Sequence, residues 1–158
     1  MQSSARDSYL ETEVTTATPQ KQQLMLIEGT IRFIGRTRSH WRAGQDERAH
    51  ECLVRAQQIV TELLAGLNHE VAPELTRRVA ALYVFVFRSL VDAGLRRDEA
   101  KLDEALRVLE PQREAWHGVC QELKAESRQP KAESGEPLSA VGFPPSAFIE
   151  STGFSMEV

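Results

Sequence analysis

The sequence predicts an all-α protein: an antiparallel up-down-up-down four-helix bundle with an N-terminal cap segment and a disordered or loosely docked C-terminal tail. Three observations carry that expectation. Apolar residues recur at steps of three and four in four successive stretches. Short turn signals separate the stretches. The one run that would also suit a strand is too long for one. The bundle and its cap segment are expected over residues 1–126, with helices at about 19–43, 46–67, 73–93 and 98–126, and a flexible tail over 127–158.

The first helix opens in "ATPQKQQLMLIEGTIRFIG". Thr18 can turn its hydroxyl onto the free N–H groups of the first turn, and Pro19 suits a position where a missing N–H costs nothing. Leu24, Ile27, Ile31, Ile34 and Trp41 then line one face. Met25, Leu26 and Phe33 lie off that face, so the helix is apolar over more than half its circumference and needs contact from two sides. Gly29 and Gly35 each cost about 1 kcal/mol against Ala within a helix, and such glycines are expected where another backbone comes close.

"AGQD" at Ala43–Asp46 ends this helix and caps the next, whose seam is Leu53, Ala56, Val60, Leu63 and Leu67, with Ile59 and Leu64 beside it. "GLNHEVAP" is the second turn. In the third helix Val84–Phe87 would fit a strand, but about twenty residues free of Gly and Pro decide for helix. Val79, Leu82, Val86 and Leu90 are its expected inner seam, and Val84, Phe87 and Val91 a second stripe to one side. The fourth helix uses Leu102, Ala105, Leu109, Trp116, Cys120 and Leu123, with Pro111 expected to kink or divide it. From about Ser127 the chain is rich in Ser, Pro and Gly without helical period. Phe143, Phe148, Ile149, Phe154 and Met156 nevertheless dot that tail, and one expectation is that it lies in the chain's own groove.

Composition narrows the function. The chain has 158 residues, 41% of them hydrophobic, enough for one core. A net charge of −4 with interspersed signs argues against nucleic acid, which needs a basic face. No apolar run reaches the ~20 residues of a membrane span. The polar, mixed-charge start "MQSSARDSYLETEV" is unlike a secretory signal, so a cytoplasmic location is expected. Cys52 and Cys120 lack zinc-site spacing and read as packing thiols.

Glu47 with His50 and Glu114 with His117 read E-x-x-H, the pattern of di-iron bundles. In parallel helices these pairs would differ in depth by ~20 Å, so their ligands could not meet around one metal pair. No nucleophile–base spacing and no phosphate loop occurs. No cofactor, metal site or catalytic group is therefore expected, and no enzyme.

"SYLETEVTTATPQKQQLMLIEGTIRFI", "RAQQIVTELLAGL", "LYVFVFRSLVDAG" and "REAW", in this order, resemble the FliS family of flagellar secretion chaperones. The likeness runs from about Tyr9 to Trp116. Tyr9 matches the family's N-terminal tyrosine, Pro19 the proline opening its first helix, Gly29 the glycine of its "YDGA" stretch, Tyr83 the tyrosine of its third helix and Trp116 the tryptophan of its fourth. The chain departs from the pattern at "LIEGT", at Pro111 and Gln112, and in its long tail. The resemblance implies a small cytoplasmic bundle that binds the C-terminal segment of flagellin, prevents premature polymerisation and helps hand the client to the flagellar type III export apparatus. Flagellar export gate components are further partners it leaves open, as is self-association.

Physically, second apolar stripes leave grooves outside a core, and an unfolded chain can order as it lies in them. Ile59, Leu64, Val84, Phe87 and Val91 are the expected groove residues, with Tyr9, Leu10 and Val14 as an N-terminal cover or clamp. A client chaperone then predicts loss of binding on Phe87→Asp with the fold retained. The competing readings are a helical adaptor or self-dimerising scaffold without a flagellin client, and a bundle enzyme or metal carrier damaged by Glu114→Ala.

Overall fold

The computed structural model describes residues 17–128. They form four helices: α1 (Pro19–Arg42), α2 (Asp46–Ala65), α3 (Pro73–Arg96) and α4 (Glu99–Arg128). No strand occurs among the described residues. Each helix packs on two neighbours, α1 on α2 and α4, α3 on α2 and α4, which closes an antiparallel ring around one core. The expected cap segment before residue 17 and the tail after residue 128 lie outside the described residues.

The start of α1 follows the sequence, but the expected cap of α2 does not form: its N-cap residue, Gln45, makes no side-chain capping hydrogen bond. Thr18 is extended and its hydroxyl accepts from the Lys21 N–H at 3.2 Å, with Pro19 opening α1. Gly44 takes the left-handed conformation (φ 70°) that the tight α1–α2 turn requires. At the α3–α4 turn Arg97 adopts φ 51° without being glycine. Its guanidinium donates to the Trp41 carbonyl at 2.8 Å and pairs with Asp46 at 3.1 Å, contacts that hold the turn against the α1–α2 end of the bundle. Arg38 and Arg42 reach across to Glu99 at 3.3 and 2.9 Å, and Arg38 also pairs with Asp103, joining the end of α1 to the start of α4.

The core interleaves Leu24, Ile27 and Ile34 of α1 with the predicted α2 seam, Val79, Val86 and Leu90 of α3, and Leu102, Ala105, Leu109 and Trp116 of α4. Thr30, Thr37 and Gln23 enter it with hydrogen-bond partners. Thr30 and Thr37 are fully buried, and their hydroxyls donate back to the Leu26 and Phe33 carbonyls, each at 2.9 Å. Gln23 Nε2 donates to the Tyr83 hydroxyl at 2.9 Å, tying α1 to α3 across the bundle.

Several expectations are corrected. Tyr83, not Leu82, occupies the inner seam of α3: Tyr83 is 1% exposed and Leu82 42%. The seam is Val79, Tyr83, Val86, Leu90 and Ala93, a four-three-four-three spacing that sets Leu82 100° from Tyr83. α4 is not divided at Pro111 but runs unbroken to Arg128, and α3 continues to Arg96. Pro111 and Arg107 are both exposed, so water can satisfy the Arg107 carbonyl that the proline leaves without a helical donor. Ile31 is only partly buried.

The helical glycines mark no backbone contact either. A Cβ on Gly29 would meet only Ile59 Cδ1, at an ordinary 3.5 Å, and one on Gly35 would meet nothing within 4 Å. Gly35→Ala is therefore expected to raise stability by about 0.5–1 kcal/mol, because Ala loses less conformational entropy on entering a helix and displaces nothing here. Urea denaturation checks it; a lower midpoint at unchanged slope would refute it.

Candidate functional site

α3 carries apolar side chains on both flanks of its buried seam, and the two flanks meet different helices. A Cβ on Gly94 would lie 3.3 Å from Leu53 Cδ1, so that side of α3 faces α2. Phe87 stands seven residues before Gly94 and Val91 three, which puts both on the same side. Both are half-buried, and Phe87 packs against the core. Val84, one turn before Phe87, is 37% exposed and continues this stripe outward.

The expected groove set is distributed over two helix junctions. Ile59 is the neighbour of Gly29 and so lies toward α1. Leu64, five residues on and hence about 140° round α2, turns away from that side and packs half-buried against the core. Leu64, Val84, Phe87 and Val91 thus fall along α2 and α3, whereas Ile59 belongs to the α1–α2 side. Tyr9, Leu10 and Val14 lie outside the described residues.

The other flank of α3 holds a feature the sequence reading missed. Between α3 and α4 is a hollow of about 190 Å³ lined by Val79, Leu82, Tyr83, Pro111, Gln112, Ala115 and Trp116. Its walls are almost wholly apolar, and the exposed edge of Leu82 forms part of its rim. Phe85, 45% exposed, stands one turn along from Leu82. Assigning Leu82 to the core hid this flank. The signal that could have found it is the alternative register through Tyr83 and Ala93, which releases Leu82 beside the helix-interrupting Pro111.

The remaining surface offers little chemistry. A shallow polar depression between α1 and α4 is lined by Glu28, Arg113, Glu114, His117, Gly118 and Gln121. Glu47, His50, Glu114 and His117 are all exposed, and among the described residues no group of three His, Cys, Asp or Glu side chains converges as a metal site. Burial pushes the Cys52 and Cys120 thiols up, against the opposing pull of Arg36 on the first and of Lys21 and Lys124 on the second. That disfavours the thiolate, the reactive form, at both positions. Burial also pushes the Tyr83 phenol well above its usual range, with the Gln23 hydrogen bond acting in the opposite direction. No described helix is long and apolar enough to cross a membrane.

Comparison with known proteins gives a consistent set of likenesses. The family described as flagellar protein FliS matches residues 1–123. The chain is similar to the flagellar secretion chaperone FliS of Bacillus subtilis, 34% identical over 109 residues that make up 69% of this chain and 80% of that protein. It is similar also to the proteins of the same description from Campylobacter jejuni, 29% identical over 115 residues (73% and 90% of the two chains), and from Salmonella typhimurium, 31% identical over 108 residues (68% and 80%).

Proposed function

The chain belongs to the FliS family of flagellar proteins, and from that premise we propose that it is a cytoplasmic export chaperone that binds the C-terminal segment of flagellin. Binding keeps the client from polymerising prematurely and leaves it ready for the flagellar type III export apparatus. The observation that carries the reading is the apolar excess on the α2 side of α3, where Val84 remains exposed and Phe87 and Val91 only half-buried after the bundle has closed its core. An unfolded segment gains by covering such surface as it orders, and the exchange needs neither ATP nor a catalytic group.

Client contact is assigned to Leu64, Val84, Phe87 and Val91 along α2 and α3, to Ile59 on the α1 side, and to an N-terminal clamp of Tyr9, Leu10 and Val14. Spreading the contacts over two junctions suits a client that wraps the bundle. Coupled ordering consumes 2–5 kcal/mol or more of the gross interaction, so a long contact is required.

Isothermal titration with a peptide spanning the last few dozen residues of flagellin from the same organism tests this. One peptide is expected to bind per chain with a negative heat-capacity change, the mark of apolar burial. Absence of binding, or a heat-capacity change near zero, would sink the client reading. Light scattering on the free chain decides whether a dimer already occupies the same surface, the outcome a self-associating scaffold predicts.

A further inference from the structure

We propose that the hollow between α3 and α4 is the docking site of this chain's own C-terminal segment, with the Phe143–Ile149 stretch seated over Tyr83 and Trp116. The hollow supplies an apolar floor. Its volume of about 190 Å³ is the share of about six waters, yet its walls give water few partners.

The tail has matching chemistry and sufficient reach. Residues 138–149 read "LSAVGFPPSAFI", a stretch without a charged residue in a chain that is 27% charged. Proline at two consecutive positions, 144 and 145, narrows the conformations open to an unfolded chain, which lowers the cost of ordering on docking. α4 ends at Arg128, twelve residues beyond Trp116, or about 18 Å along the helix. The fifteen residues from Gln129 to Phe143 span up to about 50 Å when extended, so the chain can double back with slack. This segment also lies beyond the residues that the family match covers, so the shared family function does not account for its apolar content.

The proposal does not depend on what the chaperone carries, so this test and the flagellin titration can fail separately. A nitroxide is placed on Ser146→Cys of the ¹⁵N-labelled full chain, with Cys52 and Cys120 changed to Ser, and the two indole N–H resonances are followed. Docking is expected to reduce the Trp116 signal to less than half its diamagnetic intensity while sparing Trp41. The loss should persist on tenfold dilution and be reversed by adding Phe143→Ser, Phe148→Ser and Ile149→Ser, substitutions that lie outside the bundle. An unaffected Trp116 overturns the proposal. So does attenuation that disappears on dilution, which would mean a second copy, or attenuation that survives the triple substitution. Attenuation seen only after flagellin peptide is added would give the hollow to the client complex and equally refute docking in the free chain.

Discussion

Tyr83→Ala is expected to cost about 3–5 kcal/mol of folding stability, the range for removing a large aromatic side chain from a core. Tyr83 is 1% exposed and is among the largest fully buried side chains of the bundle. Its ring joins the core to the wall of the α3–α4 hollow, and its hydroxyl accepts from Gln23 Nε2 at 2.9 Å. Tyr83→Phe isolates the second role. It keeps the ring and leaves the buried Gln23 amide one partner short, at a cost of about 1–3 kcal/mol. Urea midpoints at constant slope measure both; a neutral Tyr83→Phe would show that the cross-bundle hydrogen bond contributes nothing net.

The pH dependence reports the burial of that hydroxyl. Burial raises the Tyr83 phenol, so the folded state holds its proton more tightly than the unfolded chain. The associated stability is complete below the unfolded tyrosine value of about 10 and is lost as pH rises above it toward the folded value. Phe has no such proton, so the stability gap between wild type and Tyr83→Phe should narrow on the alkaline side. A gap that widened there would reverse the sign of the assignment.

Val84→Asp is expected to weaken flagellin-peptide binding by at least about 30-fold, or about 2 kcal/mol, the lower bound for a residue central to an apolar interface. Val84 is the member of the α2–α3 stripe that best separates binding from folding. At 37% exposure its new carboxylate can reach water in the free chain, whereas a client lying over it would bury the charge. Phe87→Asp cannot make this distinction: Phe87 packs against the core, and a charge there would threaten the bundle as well as the interface. The expected signature is lost titration heat with a thermal midpoint within a few degrees of wild type. Undiminished binding by Val84→Asp would remove the α2–α3 stripe from the client contact.

Much of the architecture was legible from local rules. The Thr18–Pro19 start and the α2 seam through Leu53, Ala56, Val60, Leu63 and Leu67 each follow from near-neighbour chemistry and one helical period, and both occur as read. The same period was ambiguous in α3, where Leu82 and Tyr83 are adjacent and both apolar. Pro111 misled for a related reason: its cost depends on whether the orphaned carbonyl meets core or solvent, and here both Pro111 and Arg107 are exposed.

The amino-acid sequence alone therefore determined the helices, their order, their turns and the surplus of apolar side chains over what one core needs, because those depend on spacing and on residues a few positions apart. Only the tertiary structure decided which surplus residue faces which neighbour. Tyr83 turns inward where Gln23, sixty positions away, meets its hydroxyl, and Leu82 is left at the rim of a hollow walled by Pro111, Gln112 and Trp116. Contacts between helices set that choice, and a single helix's periodicity contains no information about the side chain that will stand opposite it.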